Sequence, residues 1–181
     1  PLGYSFFFSF TDWNGISSDF KYVGFENFAK IWSDPLFSNA LINSLIWTVF
    51  AVFVPTGAGL FLALLLNSKI SGREFYKAMF FLPITLAPVV VGQIWIWIYQ
   101  PQWGLLNTTL EGAGLDGWTR AWLADKDAAL FAVMFAWGWQ QTGLAMVIFL
   151  SGLATVPKAV LEASLMDGAN RIQQVLFVIL P

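Results

Sequence analysis

Two short constellations hold the side chains of this sequence that could perform recognition or chemistry. The first is Trp137-Gly138-Trp139-Gln140-Gln141-Thr142-Gly143, an uncharged group of indoles, amides and a hydroxyl within an otherwise apolar stretch. Amides exchange hydrogen bonds with hydroxyl groups and indole faces cover C–H surface, so Trp137, Trp139, Gln140, Gln141 and Thr142 suit the lining of a solute pathway. The same residues also suit contacts between membrane helices, where a buried side-chain hydrogen bond is worth about 0.6 kcal/mol. Both readings stay open at this point. The second constellation is Glu162-Ala163-Ser164 followed by Asp167-Gly168-Ala169. Its plainest reading is a surface helix with two solvated acids. However, Val160, Ala163, Ser164, Asp167 and Gly168 fall at three- and four-residue steps, which gives that helix one side of small or short residues that another protein could approach closely.

What is absent narrows the chemistry further. The sequence has no Cys and no His, which removes thiolate nucleophiles, disulfides, most zinc sites and every Ser–His or Cys–His pair. No Gly-rich loop ends in Gly-Lys-Ser/Thr, so the chain carries no ATP site of that type. A net charge of −2 without a Lys/Arg run gives no footprint for nucleic acid. The expectation is therefore no catalytic residue, no metal and no cofactor. Asn107-Thr108-Thr109 matches a glycosylation triplet, a frequent chance occurrence to which no role is assigned.

The elements that must position these residues are membrane helices. Apolar residues make up 57% of the chain and charged ones 11%, against about 45–50% and about 25% in globular proteins. Long apolar stretches at residues 38–66, 75–99 and 128–150 could each cross a bilayer, for which about 20 residues suffice. None contains Asp, Glu or Arg, and Lys77 sits at an edge where its stem can reach water. Pro55 and Pro83 predict kinks. Trp95, Trp97, Tyr99 and Trp103 read as an interfacial aromatic belt.

Lys69, Arg73 and Lys77 against Glu74 place the loop after the first span in the cytoplasm, so residues 11–37 and 100–127 face outward and the chain returns inside at Ser151. Phe25, Phe28, Ile31 and Trp32 recur at helical spacing, which predicts a short amphipathic helix at the interface. Pro157 suits the first turn of a helix, and Gly168 ends that helix and turns the chain. Beyond it, Ile172, Val175, Leu176 and Ile179 resume helical periodicity. The whole reads as one all-α membrane domain. The Phe-rich stretch before residue 11 reads as the end of a span and residues 171–181 as the start of another, so both ends read as truncated.

Glu162-Ala163-Ser164, three residues, Asp167-Gly168-Ala169 and then Ile179-Leu180-Pro181 resemble the EAA loop of binding-protein-dependent ABC import permeases. In that family the loop is a coupling helix that docks on the cytoplasmic ATPase, which assigns Glu162, Ala163, Ser164, Asp167, Gly168 and Ala169 to ATPase coupling within residues 157–170. Ser164 stands where the pattern has a second Ala, a small exchange that keeps a close-packing surface. Val23-Gly-Phe-Glu-Asn-Phe28, Asp34-Pro-Leu-Phe37, Ala40-Leu-Ile-Asn-Ser44, Leu82-Pro83 and Gly104-Leu-Leu-Asn107 further resemble the carbohydrate branch, of maltose or glycerol-phosphate type. The resemblance implies a type I importer permease of a prokaryotic inner membrane, with no enzymatic activity of its own. Its partners would be ATPase subunits, a second identical or homologous permease subunit, an extracytoplasmic solute-binding protein and the lipid bilayer. The rival readings are an ion-coupled secondary transporter, which usually keeps ionisable groups within its spans, and a membrane-embedded transferase, which needs acids or a metal cluster at a membrane face.

Overall fold

The structure, a computed structural model, describes residues 1–68 and 70–179. Leu180 and Pro181, which close the EAA pattern, and Lys69 of the basic loop lie outside the described residues. The chain divides into two compact parts, residues 1–48 and 49–181, and the boundary falls inside a long helix.

The first part holds α1 (Leu2–Phe8), α2 (Glu26–Ser33) and the opening turns of α3 (Pro35–Asn67). Between α1 and α2 the chain folds back through an antiparallel bridge between Thr11 and Tyr22. Aromatic rings fill the return: Phe8 stacks on Trp13 at 4.1 Å, and Phe10 meets Phe25 at 5.5 Å and Phe28 at 5.4 Å. Asn27 locks it by donating from Nδ2 to the carbonyls of Ser9 at 3.0 Å and Thr11 at 2.7 Å, which explains why an amide stands in Val23-Gly-Phe-Glu-Asn-Phe28. The amphipathic helix expected around Ile31 is present as α2.

The second part holds the rest of α3, then α4 (Arg73–Thr85), α5 (Pro88–Ile98), α6 (Leu105–Gly112), a 3₁₀ turn at Asp116–Trp118, α7 (Ala129–Thr155), α8 (Lys158–Met166), α9 (Arg171–Gln174) and a π-helical turn at Val175–Ile179. Helices α3 and α7 are each long and apolar enough to cross a membrane, and α4 with α5 makes a third span if the bent pair is counted as one. Helix α3 continues through Pro55.

The stretch expected as one span at 75–99 with a kink near Pro83 is divided more sharply. Helix α4 passes through Pro83 and ends at Thr85, and α5 departs at 103°. The break is at Leu86 and Ala87, both extended, in front of Pro88. A proline disfavours helical backbone in the residue before it and is itself at home in a helix's first turn, so Ala87-Pro88 stops one helix and starts the next.

Close packing of α3 and α4 on α7 relies on glycine. A Cβ on Gly143 would clash with the carbonyl oxygen of Phe80 and lie 3.2 Å from the Cα of Phe81, so here the backbones of α4 and α7 touch. A Cβ on Gly59 would lie 2.5 Å from that of Ala145. Small residues at such contacts let helices gain dispersion energy that large side chains would prevent. Ala63 and Leu66 of α3 and Met146 and Leu153 of α7 are buried together, with Phe80, Phe149 and Ile179 against them. Large apolar residues on the outer faces, including Phe53, Phe61 and Ile148, stay exposed as lipid or neighbouring helices require.

Candidate functional site

The first candidate region is the turn after α7. Helix α8 ends in a Schellman motif: the Gly168 N–H donates to Leu165 O and the Ala169 N–H to Ser164 O, both at 3.0 Å. Gly168 has φ +83°, a left-handed conformation that costs other residues about 1–2 kcal/mol. The chain re-enters a helix at once. Asn170 Oδ1 accepts from Gln173 N at 2.9 Å while Gln173 Oε1 accepts from Asn170 N at 2.8 Å, a reciprocal cap on α9. Gln174 then reaches back to α8, donating from Nε2 to Leu161 O at 3.1 Å and to Ser164 Oγ at 2.8 Å. The sequence therefore writes a helical hairpin held by its own hydrogen bonds.

This arrangement divides the six residues of the pattern. Glu162, Ala163, Asp167 and Gly168 are exposed, Ala169 is half-buried and Ser164 is buried. Ser164 does not belong to an outward small-residue surface: its hydroxyl donates to Leu161 O at 2.7 Å and accepts from Gln174. Periodicity within α8 could not reveal this, because the buried side is set by the returning chain. The sequence reading also passed over Leu165 and Met166, which stand 58% and 89% exposed at the hairpin's tip beside the two acids.

The second region is the polar cluster of α7, which the structure does not bring to one place. Gln140 is buried and donates from Nε2 to Leu86 O at 3.1 Å, serving a carbonyl that the break between α4 and α5 leaves free. Thr142 Oγ1 donates to Gly138 O at 2.8 Å. Trp139 meets Trp95 edge to face at 5.7 Å. Trp139 and Thr142 line a cavity of about 220 Å3 with Phe50, Phe80 and Phe135. Trp137 and Gln141 are half-buried and are not among its lining residues.

A larger cavity of about 740 Å3 lies at the opposite end of α7 from α8, between the end of α5, α6 and the 100–127 loop. Trp95, Tyr99, Trp118 and Trp122 supply ring walls, with Arg120 and Asp127 also lining it. Its frame is built on Asn107, only 3% exposed. Asn107 Nδ2 donates to Pro101 O and Arg120 O, both at 3.0 Å, and Oδ1 accepts from Trp122 Nε1 at 2.7 Å and Arg120 N at 3.4 Å. These bonds bind the loop to α6 and occupy the amide of the glycosylation-like triplet. Tyr99 OH donates to Ala132 O at 2.9 Å and ties α5 to α7. Phe135 lines both cavities. Among the described residues no group of three or more His, Cys, Asp or Glu is placed to hold a metal.

Comparison with known proteins agrees with this architecture. Residues 55–181 match the family described as binding-protein-dependent transport system inner membrane component. The chain is 38% identical over 191 residues to the diacetylchitobiose uptake system permease protein NgcF of Streptomyces coelicolor, covering all of this chain and 54% of that protein. It is 34% identical over 180 residues to the xylose/arabinose import permease protein XacH of Haloferax volcanii, covering 99% of this chain and 56% of that protein. The chain thus spans little more than half the length of these relatives. The fold is that of a chain in the crystal structure of a bacterial alginate ABC transporter in complex with an alginate pentasaccharide-bound periplasmic protein, with a TM-score of 0.76 and 23% identity over 87% of this chain and 55% of that one. With its all-α membrane architecture and a family match over most of its length, the chain belongs to the binding-protein-dependent transport system inner membrane components.

Proposed function

We propose that this chain forms part of the translocation pathway of an ABC importer for a sugar or sugar-like solute, powered by a separate ATPase that docks on the α8 hairpin. The observation that carries the reading is the hairpin itself. Glu162, Ala163, Asp167 and Gly168 are exposed on a helix closed by a Schellman turn, with Leu165 and Met166 uncovered beside them. Exposed apolar side chains beside charges on a preorganised element suit a protein partner, because little ordering entropy is lost on docking. Movement of that partner would reach the spans through Ile179 and Leu153, which belong to one apolar cluster with α3.

On this reading the hairpin faces the cytoplasm and the large cavity faces outward, towards a solute-binding protein. A second permease subunit would complete the pathway, and the spans would be close to residues 38–66, 75–99 and 128–150. Sugar as cargo is supported by relatives named for diacetylchitobiose and for xylose/arabinose. The absence of Asp, Glu and Arg from these three stretches disfavours ion coupling. Reconstitution of the whole transporter in liposomes tests the proposal. Uptake of labelled diacetylchitobiose or xylose that requires both ATP and the binding protein supports it, whereas uptake driven by an ion gradient without ATP refutes it.

A further inference from the structure

We propose that Val175–Ile179, the π-helical turn that follows the hairpin, is a register switch that alternates between π and α form as the hairpin moves, an inference that rests on the docking of an ATPase proposed above. A π turn is rare, and where one occurs it often marks a functional position. This one lies between two attachments. Gln174, the residue before it, donates from Nε2 to Leu161 O at 3.1 Å and to Ser164 Oγ at 2.8 Å, both on α8. Ile179, its last residue, packs against the cluster of Ala63, Leu66, Met146 and Leu153 on α3 and α7.

The number of residues between the attachments makes them depend on the form of the turn. Hydrogen bonds that span five residues bring residues five apart nearly into line, so in the π form Gln174 and Ile179 share one side. In an α-helix of 3.6 residues per turn, the same five steps leave them about 140° apart around the axis. An α form of Val175–Ile179 therefore keeps either the bonds of Gln174 to α8 or the packing of Ile179, and the π form keeps both. The observed burial follows the shared side: Gln174, Val175, Val178 and Ile179 are half-buried, whereas Leu176 and Phe177 stand 51% and 73% exposed.

The sequence of the turn commits to neither form. Val175, Val178 and Ile179 are β-branched, which crowds an α-helix and lowers its propensity, while the π form is held by the attachments at its two ends. A two-state element of this kind can be biased from either side. In the π form the hairpin and the spans move together, and in the α form the hairpin turns against the apolar cluster.

The test uses the complete transporter in liposomes with diacetylchitobiose and xylose as probes, comparing the parent with deletion of Phe177 and with Phe177→Ala. The deletion removes an exposed side chain and sets Gln174 and Ile179 four steps apart, so a plain α-helix keeps both attachments and the alternation is lost. Phe177→Ala removes the same side chain at full length. The inference predicts that the deletion inserts and binds the ATPase as the parent does while ATP-driven uptake falls at least about tenfold, and that Phe177→Ala keeps parental uptake. Parental uptake by the deletion, or an equal loss in both variants, overturns the switch and leaves the docking reading standing. Hydrogen exchange of the parent decides the matter independently of how the deletion inserts and of which solute is carried. Amides 175–179 should exchange at rates at least about fivefold different between the nucleotide-free and the ATP-bound transporter, and equal exchange overturns the switch. A parent that no ATPase accompanies overturns the docking reading, and the switch with it.

Discussion

Gln140 Nε2 donates to the carbonyl oxygen of Leu86 at 3.1 Å, joining the middle of α7 to the break between α4 and α5. In a hydrocarbon environment no water serves a carbonyl freed by a broken helix, so a neighbouring helix must. A residue that looked equally suited to lining a pathway is engaged in holding a bent span. Gln140→Leu should lower the melting temperature of the purified protein, corresponding to about 1–2 kcal/mol, while KM for solute stays unchanged. An unchanged melting temperature with a raised KM would return Gln140 to the pathway.

The contact of α4 with α7 is set by Gly143, where an added Cβ would strike the backbone of Phe80. Backbone cannot yield as a side-chain end can, so Gly143→Val should prevent accumulation of folded protein in the membrane. Gly92→Ala is the matched control, because a Cβ there meets nothing within 4 Å. It should accumulate normally and gain up to about 1 kcal/mol of helix propensity. Equal accumulation of both variants, measured by detergent extraction and gel filtration, would contradict the packing described.

Asn107 makes four hydrogen bonds from a buried position. Asn107→Asp keeps the acceptors but turns a carboxylate oxygen towards the carbonyls of Pro101 and Arg120. It should free the 100–127 loop, at a cost of about 1–3 kcal/mol or more. Limited proteolysis should cut that loop at least about tenfold faster than in the parent. Cleavage at the parental rate would show that Asn107 does not organise the loop.

Much of the fold was legible because bilayers impose simple rules. The apolar stretches near 38–66 and 128–150 emerge as α3 and α7, and Gly168 ends α8 in the left-handed turn expected of it. Less legible was anything set by a contact distant in sequence. Ser164 fits a small-residue stripe within α8, and only the return of Gln174 from α9 turns it inward. The division of α4 from α5 did have a local signal in Ala87-Pro88, which marks a helix start as well as a kink. Trp118, Arg120 and Trp122 look like ordinary loop residues until Asn107 gathers the loop around α6.

The hairpin's internal bonds predict a graded effect on its partner. Gln174→Leu removes the two bonds to α8 and should weaken ATPase binding about fivefold, a change of about 1 kcal/mol, without altering membrane insertion. Affinity measured by surface-immobilised permease checks this, and undiminished binding would mean that the hairpin's rigidity is irrelevant to docking.

The central claim is that the exposed tip of this hairpin receives an ATPase. Affinity purification of the full-length protein from its native membranes, followed by mass spectrometry beside a Gly168→Asp variant, addresses it directly. Asp is among the side chains that a left-handed turn at φ +83° tolerates best, so the variant acts chiefly by the charge it adds to the exposed tip. The account predicts that a P-loop ATPase accompanies the parent and is lost from the variant, with both proteins inserted in the membrane. An ATPase that accompanies both equally, or neither despite intact insertion, would contradict it.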